Sequence, residues 1–153
     1  RRVDALAVVH RNHYAELEEN RGVALRSLLS ELGANLRATA PASASHMQIR
    51  LAIEPFHATQ DVAVSIAFLI TEIVEFAMLR KPADPIEISL RRDNDLAATL
   101  AISSAVLVPE SDPEDVAKVQ FERIVEGLAR QLRSPLDRKL GRYAVTLPVF
   151  PND

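Results

Sequence analysis

Apolar side chains recur along this chain with two periods, and the switches between them mark out its elements. Val3, Leu6, Ala7, Tyr14 and Leu17 share one face of a helix over residues 1–19, which Arg21 and Gly22 interrupt. Leu25, Leu28, Leu29, Leu32 and Leu36 form the stripe of a second helix. "TAPASAS" (39–45) is small, polar and broken by a proline, which predicts a loop. Met47, Ile49, Leu51 and Ile53 then alternate as a half-buried strand does, until Pro55 ends it. Asp61 is placed to cap a third helix that runs to about Arg80 and stops before Pro82. "IEISLR" and "LAATLAI" alternate again around "RDND", a hairpin turn. Pro109 and Pro113 bracket a short connection, "ESD", and Phe121, Ile124, Val125, Leu128 and Leu132 mark a fourth helix. "SPLDRK", a turn at Leu140–Gly141 and "RYAVTLPVF" close the chain, with Tyr143, Val145, Leu147 and Val149 on one face.

One-sided strands interleaved with amphipathic helices predict an α/β domain, a mixed sheet covered by helices on one side. The first helix is different in character. It is long, charged on its outer face and followed by a break, as half of a dimerising helical hairpin would be. The expected division is therefore a dimerisation helix over residues 1–20 and an α/β domain over 21–153.

Composition narrows the function classes. A chain of 153 residues, 48% apolar and 25% charged, suffices for one globular domain with a core. A net charge of −3 gives no electrostatic reason to expect nucleic acid or an anionic membrane surface. The lack of cysteine excludes disulfides and thiolate metal sites and fits a reducing, cytoplasmic setting. No apolar run of ~18 residues free of charge is present, so no membrane segment is expected. Because the chain starts at Arg1 and not at methionine, it is read as a fragment of something longer.

Chemistry rests on few residues. His10 and His13 lie three apart on the first helix and share a face. Imidazole is nucleophilic at neutral pH and can carry a phosphoryl group. For His10 the alternatives are a residue packed between helices, on the stripe of Leu6, Tyr14 and Leu17, or a phosphoacceptor; His13 is a second acceptor candidate. A His-x-x-His metal pair lacks a nearby third ligand. His46 and His57 look like loop histidines. Glu72 and Glu75 sit inside the apolar third helix, Glu72 as a solvated or capping carboxylate and Glu75 as a surface charge. The four glycines, at 22, 33, 127 and 141, form no cluster that could wrap backbone amides round a phosphate.

Several stretches resemble one family in order. "RVDALAVVHRNHY" (2–14) is similar to the second dimerisation helix of the sensor histidine kinases that neighbour the HWE kinases. "VALRSLLSELGANLRA" resembles the first helix of that family's catalytic and ATP-binding domain, and "FLITEIVEFAML" its N box. "AISSAVLVP" and "FERIVEGLARQL" stand where its two glycine boxes belong, and "RYAVTLPVFP" resembles its closing strand. The resemblance implies the GHKL (Bergerat-type) fold, a two-layer sandwich with a mixed sheet, preceded by the dimerisation helix.

The departures from the family pattern fall on the boxes. The N box pattern Asn-Glu-x-x-x-Asn is here Thr71, Glu72 and Phe76, and Phe76 offers magnesium no oxygen. Glu72 keeps the place of the family's proposed general base. Ser103, Ala105 and Leu107 stand where Asp-x-Gly-x-Gly is expected, and Phe121 where the second box needs glycine. The resemblance thus implies that ATP and magnesium binding are lost, with no cofactor and no metal. In the family the phosphorylated histidine lies in the preceding helix, so the acceptor helix is expected to lie upstream of Arg1 or to be missing. Two functions follow: a kinase-derived histidine phosphotransferase working with response-regulator receiver domains, or a pseudokinase adaptor that docks a regulator or kinase through Ala5, Val8, Val9 and Asn12. Both expect a homodimer through the first helix. An active ATP-dependent kinase is disfavoured.

Overall fold

The computed structural model describes residues 2–16 and 22–151, with side chains over 3–11 and 22–150. Among these residues four α-helices and eight strands follow one another as α1 (Arg2–Glu16), β1 (Val23–Ala24), α2 (Leu25–Ala38), β2 (Ile49–Ile53), β3 (Phe56–Ala58), α3 (Gln60–Leu79), β4 (Ile86–Asn94), β5 (Ala97–Ser103), α4 (Val116–Gln131), β6 (Asp137–Lys139), β7 (Arg142–Pro148) and β8 (Phe150–Pro151). The main sheet has the order β2-β4-β5-β7-β6; β2 and β4 are parallel and every other pair is antiparallel.

The period-2 pattern becomes rows across this sheet. Ile88, Ile102 and Tyr143 are in register, as are Leu90, Leu100 and Val145, and Ala98 faces Leu147. All of them are buried, while Glu87, Arg91 and Thr146 look out from the opposite face. Helices cover the buried face. The α2 stripe of leucines is buried as expected, and Gly33 of that helix faces Leu51 of β2. By length and composition α3 could cross a bilayer, but two thirds of its most apolar stretch is buried inside this fold. The α/β architecture with a mixed sheet expected from the sequence is the one observed.

Local expectations need correcting in five places. The α3 cap is Thr59, whose Oγ1 accepts from the Val62 N–H at 3.4 Å, and Asp61 belongs to the first turn. The β4 strand runs on through Asn94, so the hairpin turn is Asp95–Leu96. Ile124 is 37% exposed at the rim of the α4 stripe. A second, three-stranded sheet, β1-β3-β8, was not foreseen, because its strands are too short to show a period. Its presence also moves His57: the chain resumes as a strand after Pro55, and His57 is buried there, stacked on Phe150 at 6.3 Å. His46 does lie in an exposed turn.

The fifth correction concerns α1. The buried face is Ala5, Val8 and Val9, which joins the common core beside α2 and α3. Val3 is 77% exposed and Leu6 38%, and Ala7 is exposed too. Two helical stripes compete on this helix. The one with small and β-branched side chains permits close approach to α3 and is the one buried. Hence Ala5, Val8 and Val9 are not open to a partner; the side chains of Asn12 and Tyr14, and all of Leu17, lie outside the described residues. Arg11 fastens the outer flank of α1 to α2 through Glu31 at 2.7 Å.

Gly22 sits at φ +80°, and a Cβ there would come within 2.4 Å of the Ala58 carbonyl oxygen. Gly22→Ala is expected to cost about 1–3 kcal/mol in denaturant unfolding. Gly127→Ala, in the middle of α4 with only the Arg130 side chain near, is expected to gain up to ~1 kcal/mol.

Candidate functional site

The stretch of α3 that carries the N-box resemblance turns its buried residues to separate tasks. Thr71 is 1% exposed, and its hydroxyl donates to the Ala67 carbonyl at 2.7 Å, one turn back along the helix. Glu72 and Glu75 are half-buried. Glu75 lines a cavity of about 270 Å³ with Asp4, Leu36 and Met78, on the side of α3 toward α1. On the other side Phe76 meets α4.

That second contact is aromatic. The Phe76 and Phe121 rings stack with centroids 4.0 Å apart and planes 9° from parallel, and Phe121 lies 6.4 Å from the ring of Tyr143. The Arg80 guanidinium carbon stands 4.7 Å from the Phe76 centroid. Arg80 also binds Asp115 at 2.9 Å, and Asp115 caps α4 by accepting from the Lys118 N–H. The hydrogen bond between them draws the Asp115 carboxyl below its ordinary range and holds the Arg80 guanidinium above its own.

Beside the rings lies a buried polar hub. Glu122 Oε2 accepts from the Lys118 ammonium at 2.7 Å and from the Tyr143 hydroxyl at 2.6 Å, and Oε1 accepts from Arg138 at 2.6 Å. Lys118 spends its other two protons on the Val108 carbonyl at 2.6 Å and on Ser111 Oγ at 3.3 Å. Arg138 reaches Glu126 at 2.9 Å as well. Burial pushes the Glu122 carboxyl up, but the hydrogen bonds from Lys118, Tyr143 and Arg138 outweigh it and leave the group below its ordinary 4.5. The Tyr143 phenol is raised, first by burial and then by the carboxylate it faces.

Of the sequence-derived candidates, Phe76 and Phe121 are brought into contact, and Leu107 is buried at the start of the connection above them. Ser103 ends β5 opposite Glu87 and Arg142, and Ala105 is an exposed turn residue. His10 is far from this region in the chain and exposed on α1, not packed between helices. His13 lies on α1 by its backbone, but its side chain is outside the described residues. Among the described residues no three His, Asp or Glu side chains converge as metal ligands. The hub itself was missed. Its signals were the four-residue spacing of Lys118 and Glu122 and a tyrosine on the inner face of a strand, whose hydroxyl needs a buried partner.

No protein-family model and no characterised protein sequence matches this chain. Solved structures do. The blue-light activated histidine kinase EL346 of Erythrobacter litoralis superposes over 97% of this chain and 53% of its own, with a TM-score of 0.75 at 15% identity. The fold is that of a histidine-kinase catalytic domain. The separate kinase domain of EL346 matches 97% of this chain and 72% of its own, with a TM-score of 0.68 and 15% identity. The ATP binding domain of PrrB from Mycobacterium tuberculosis matches 86% of this chain and 96% of its own at a TM-score of 0.55 and 15% identity. The chain spans about half the length of EL346.

Two outcomes are expected at the site. Phe76→Ala should cost about 3–5 kcal/mol in chemical unfolding, since it removes a stacked, buried ring. Glu122 carries a folded-state pKa below its unfolded one, so its contribution is present above pH about 4.5 and fades as pH falls through the folded value. The stability gap between the parent and Glu122→Gln should therefore hold from neutral pH down to about pH 4.5 and narrow as unfolding is measured below it.

Proposed function

We propose that this chain is a two-component signalling protein in which a histidine-kinase-like fold no longer takes Mg-ATP and His10 relays a phosphoryl group between response-regulator receiver domains. The observation that carries the reading is the 4.0 Å stack of Phe76 on Phe121. By resemblance, these positions belong to the N box and the second glycine box, where the family holds its nucleotide. The residues present do not fit that ligand. Phe76 supplies no oxygen to a magnesium ion, the Thr71 hydroxyl is committed to Ala67, and Gly127 lies within a helix away from any phosphate loop.

The exposure of His10 supports the phosphoacceptor alternative over the packed one. A lone pair of its imidazole attacks the phosphorus of a receiver acyl phosphate. The P–O bond to the receiver carboxylate breaks as the N–P bond forms, and the ring N–H proton leaves to water. Reversal onto a second receiver returns the phosphoryl group to a carboxylate. Such a relay draws magnesium from the receiver and needs none of its own. Val3 and Leu6 stand exposed beside His10, and this apolar strip also favours a second reading, a docking surface without transfer. A homodimer through α1 would use the same strip.

Mixing the chain with phosphorylated receivers and mapping acid-labile label by mass spectrometry separates the readings. The relay predicts label on His10 that leaves for a second receiver and is absent in His10→Ala. Receiver binding without label supports docking alone. Millimolar Mg-ATP is expected to leave Tm unchanged; binding at tenfold excess over Kd would add about 1.4 kcal/mol and overturn the loss of nucleotide.

A further inference from the structure

We propose that β2, the margin of the main sheet opposite β6, pairs antiparallel with β2 of a second copy of this chain, in a two-fold register centred on Leu51. The strand has one neighbour, β4, and pairs with it without a bulge from Ile49–Ile86 to Ile53–Leu90. The Gln48 carbonyl accepts from the Ile86 N–H, and the Glu54 N–H donates to the Leu90 carbonyl. Backbone groups alternate along a strand, so those of Arg50 and Ala52 also face β4, and those of Ile49, Leu51 and Ile53 face outward. Of these outward groups the Ile53 carbonyl accepts from Arg26 Nε at 2.9 Å and keeps a second lone pair. Leu51 lies on the helix face, in register with buried Ile88, yet it is 38% exposed. The buried row of Ile88, Ile102 and Tyr143 therefore ends at an apolar side chain in water. Whereas β6 is charged at each residue, β2 carries one charge, Arg50, and no proline.

The pattern of the strand singles out its occupant. Ile49-x-Leu51-x-Ile53 reads the same in both directions, so an antiparallel copy sets Leu51 against Leu51 and Ile49 against Ile53. These are the pairs that exchange two backbone hydrogen bonds, as the outward groups require. Arg50 then falls opposite Ala52, which is small and exposed, and meets no like charge. A slip of the register toward Ile49 would set Arg50 against Arg50. Between α2 and the margin lies a cavity of about 310 Å³ bounded by Arg26, Ser30, Leu51 and Ile53. In the proposed register it receives Ile49 of the second copy, the residue opposite Ile53. The pairing is separate from α1 and stands independently of the relay.

Sedimentation of the whole chain from about 1 to about 100 μM, with amide hydrogen exchange at both ends of that range, tests it. A monomer–dimer equilibrium is expected, with exchange at Ile49, Leu51 and Ile53 slowing about tenfold as the dimer fills. Ala52→Arg, which opposes like charges at Arg50, should raise the dissociation constant about tenfold, and Ala52→Glu should lower it severalfold. Leu51→Pro deletes an outward N–H, leaves the bonds to β4 and should abolish the dimer. A chain that stays monomeric throughout overturns the proposal and leaves this margin to a strand of another protein. A dimer in which Ile49 and Leu51 exchange as in the monomer, as one held through α1 would, also overturns it. So does equal weakening by Ala52→Arg and Ala52→Glu. Both Ala52 variants change an exposed side chain, so they decide the matter should Leu51→Pro fail to fold.

Discussion

Phe76 and Phe121 face each other across the boundary of α3 and α4, and the arrangement of that half of the domain depends on their contact. A parallel stack of two rings adds about 0.5–1.5 kcal/mol beyond the area it removes from water. More important is the position it fixes. With the rings in place, Arg80 lies against Phe76 and reaches Asp115, so the end of one helix is tied to the beginning of the next. Tyr143 then extends the aromatic layer to the sheet and delivers its hydroxyl to Glu122.

The polar hub is the counterpart of that apolar contact. A carboxylate placed this deep is tolerable only when its oxygens are filled, and Glu122 receives hydrogen bonds from an ammonium, a phenol and a guanidinium. These donors come from α4, β7 and β6, so the ionic group records the same packing as the rings do. Removing any one donor leaves the carboxylate undersatisfied in a site with little water. The two sets of contacts are mutually dependent: the rings exclude solvent from the hub, and the hub fills space the rings do not reach.

Much of this architecture was legible from periodicity. The leucine stripe of α2 and the alternation through β4, β5 and β7 translate directly into buried rows, because long regular elements repeat their signal several times. The face of α1 was misjudged because small residues such as Ala5 carry little hydrophobic weight yet allow the closest helix approach. Strands of two or three residues, as in β1, β3 and β8, lie below the length at which alternation means anything, which is why buried His57 looked like a loop residue. At the site, the sequence exposed what Phe76 and Phe121 cannot do, but their stacking on each other joins positions 45 residues apart that no local pattern links.

The β6 strand gives the hub a consequence beyond it. Its three residues, Asp137, Arg138 and Lys139, are all charged, and it forms one margin of the main sheet. Open sheet margins are templates on which other chains add strands and aggregate. Here the central charge is drawn inward to Glu122 and Glu126 while its neighbours stay in water, salt-bridged to each other at 3.7 Å. A foreign strand would have to strip water from these flanking charges over a run too short to repay it in backbone hydrogen bonds. The same residue that neutralises the buried carboxylate thereby helps to end the sheet.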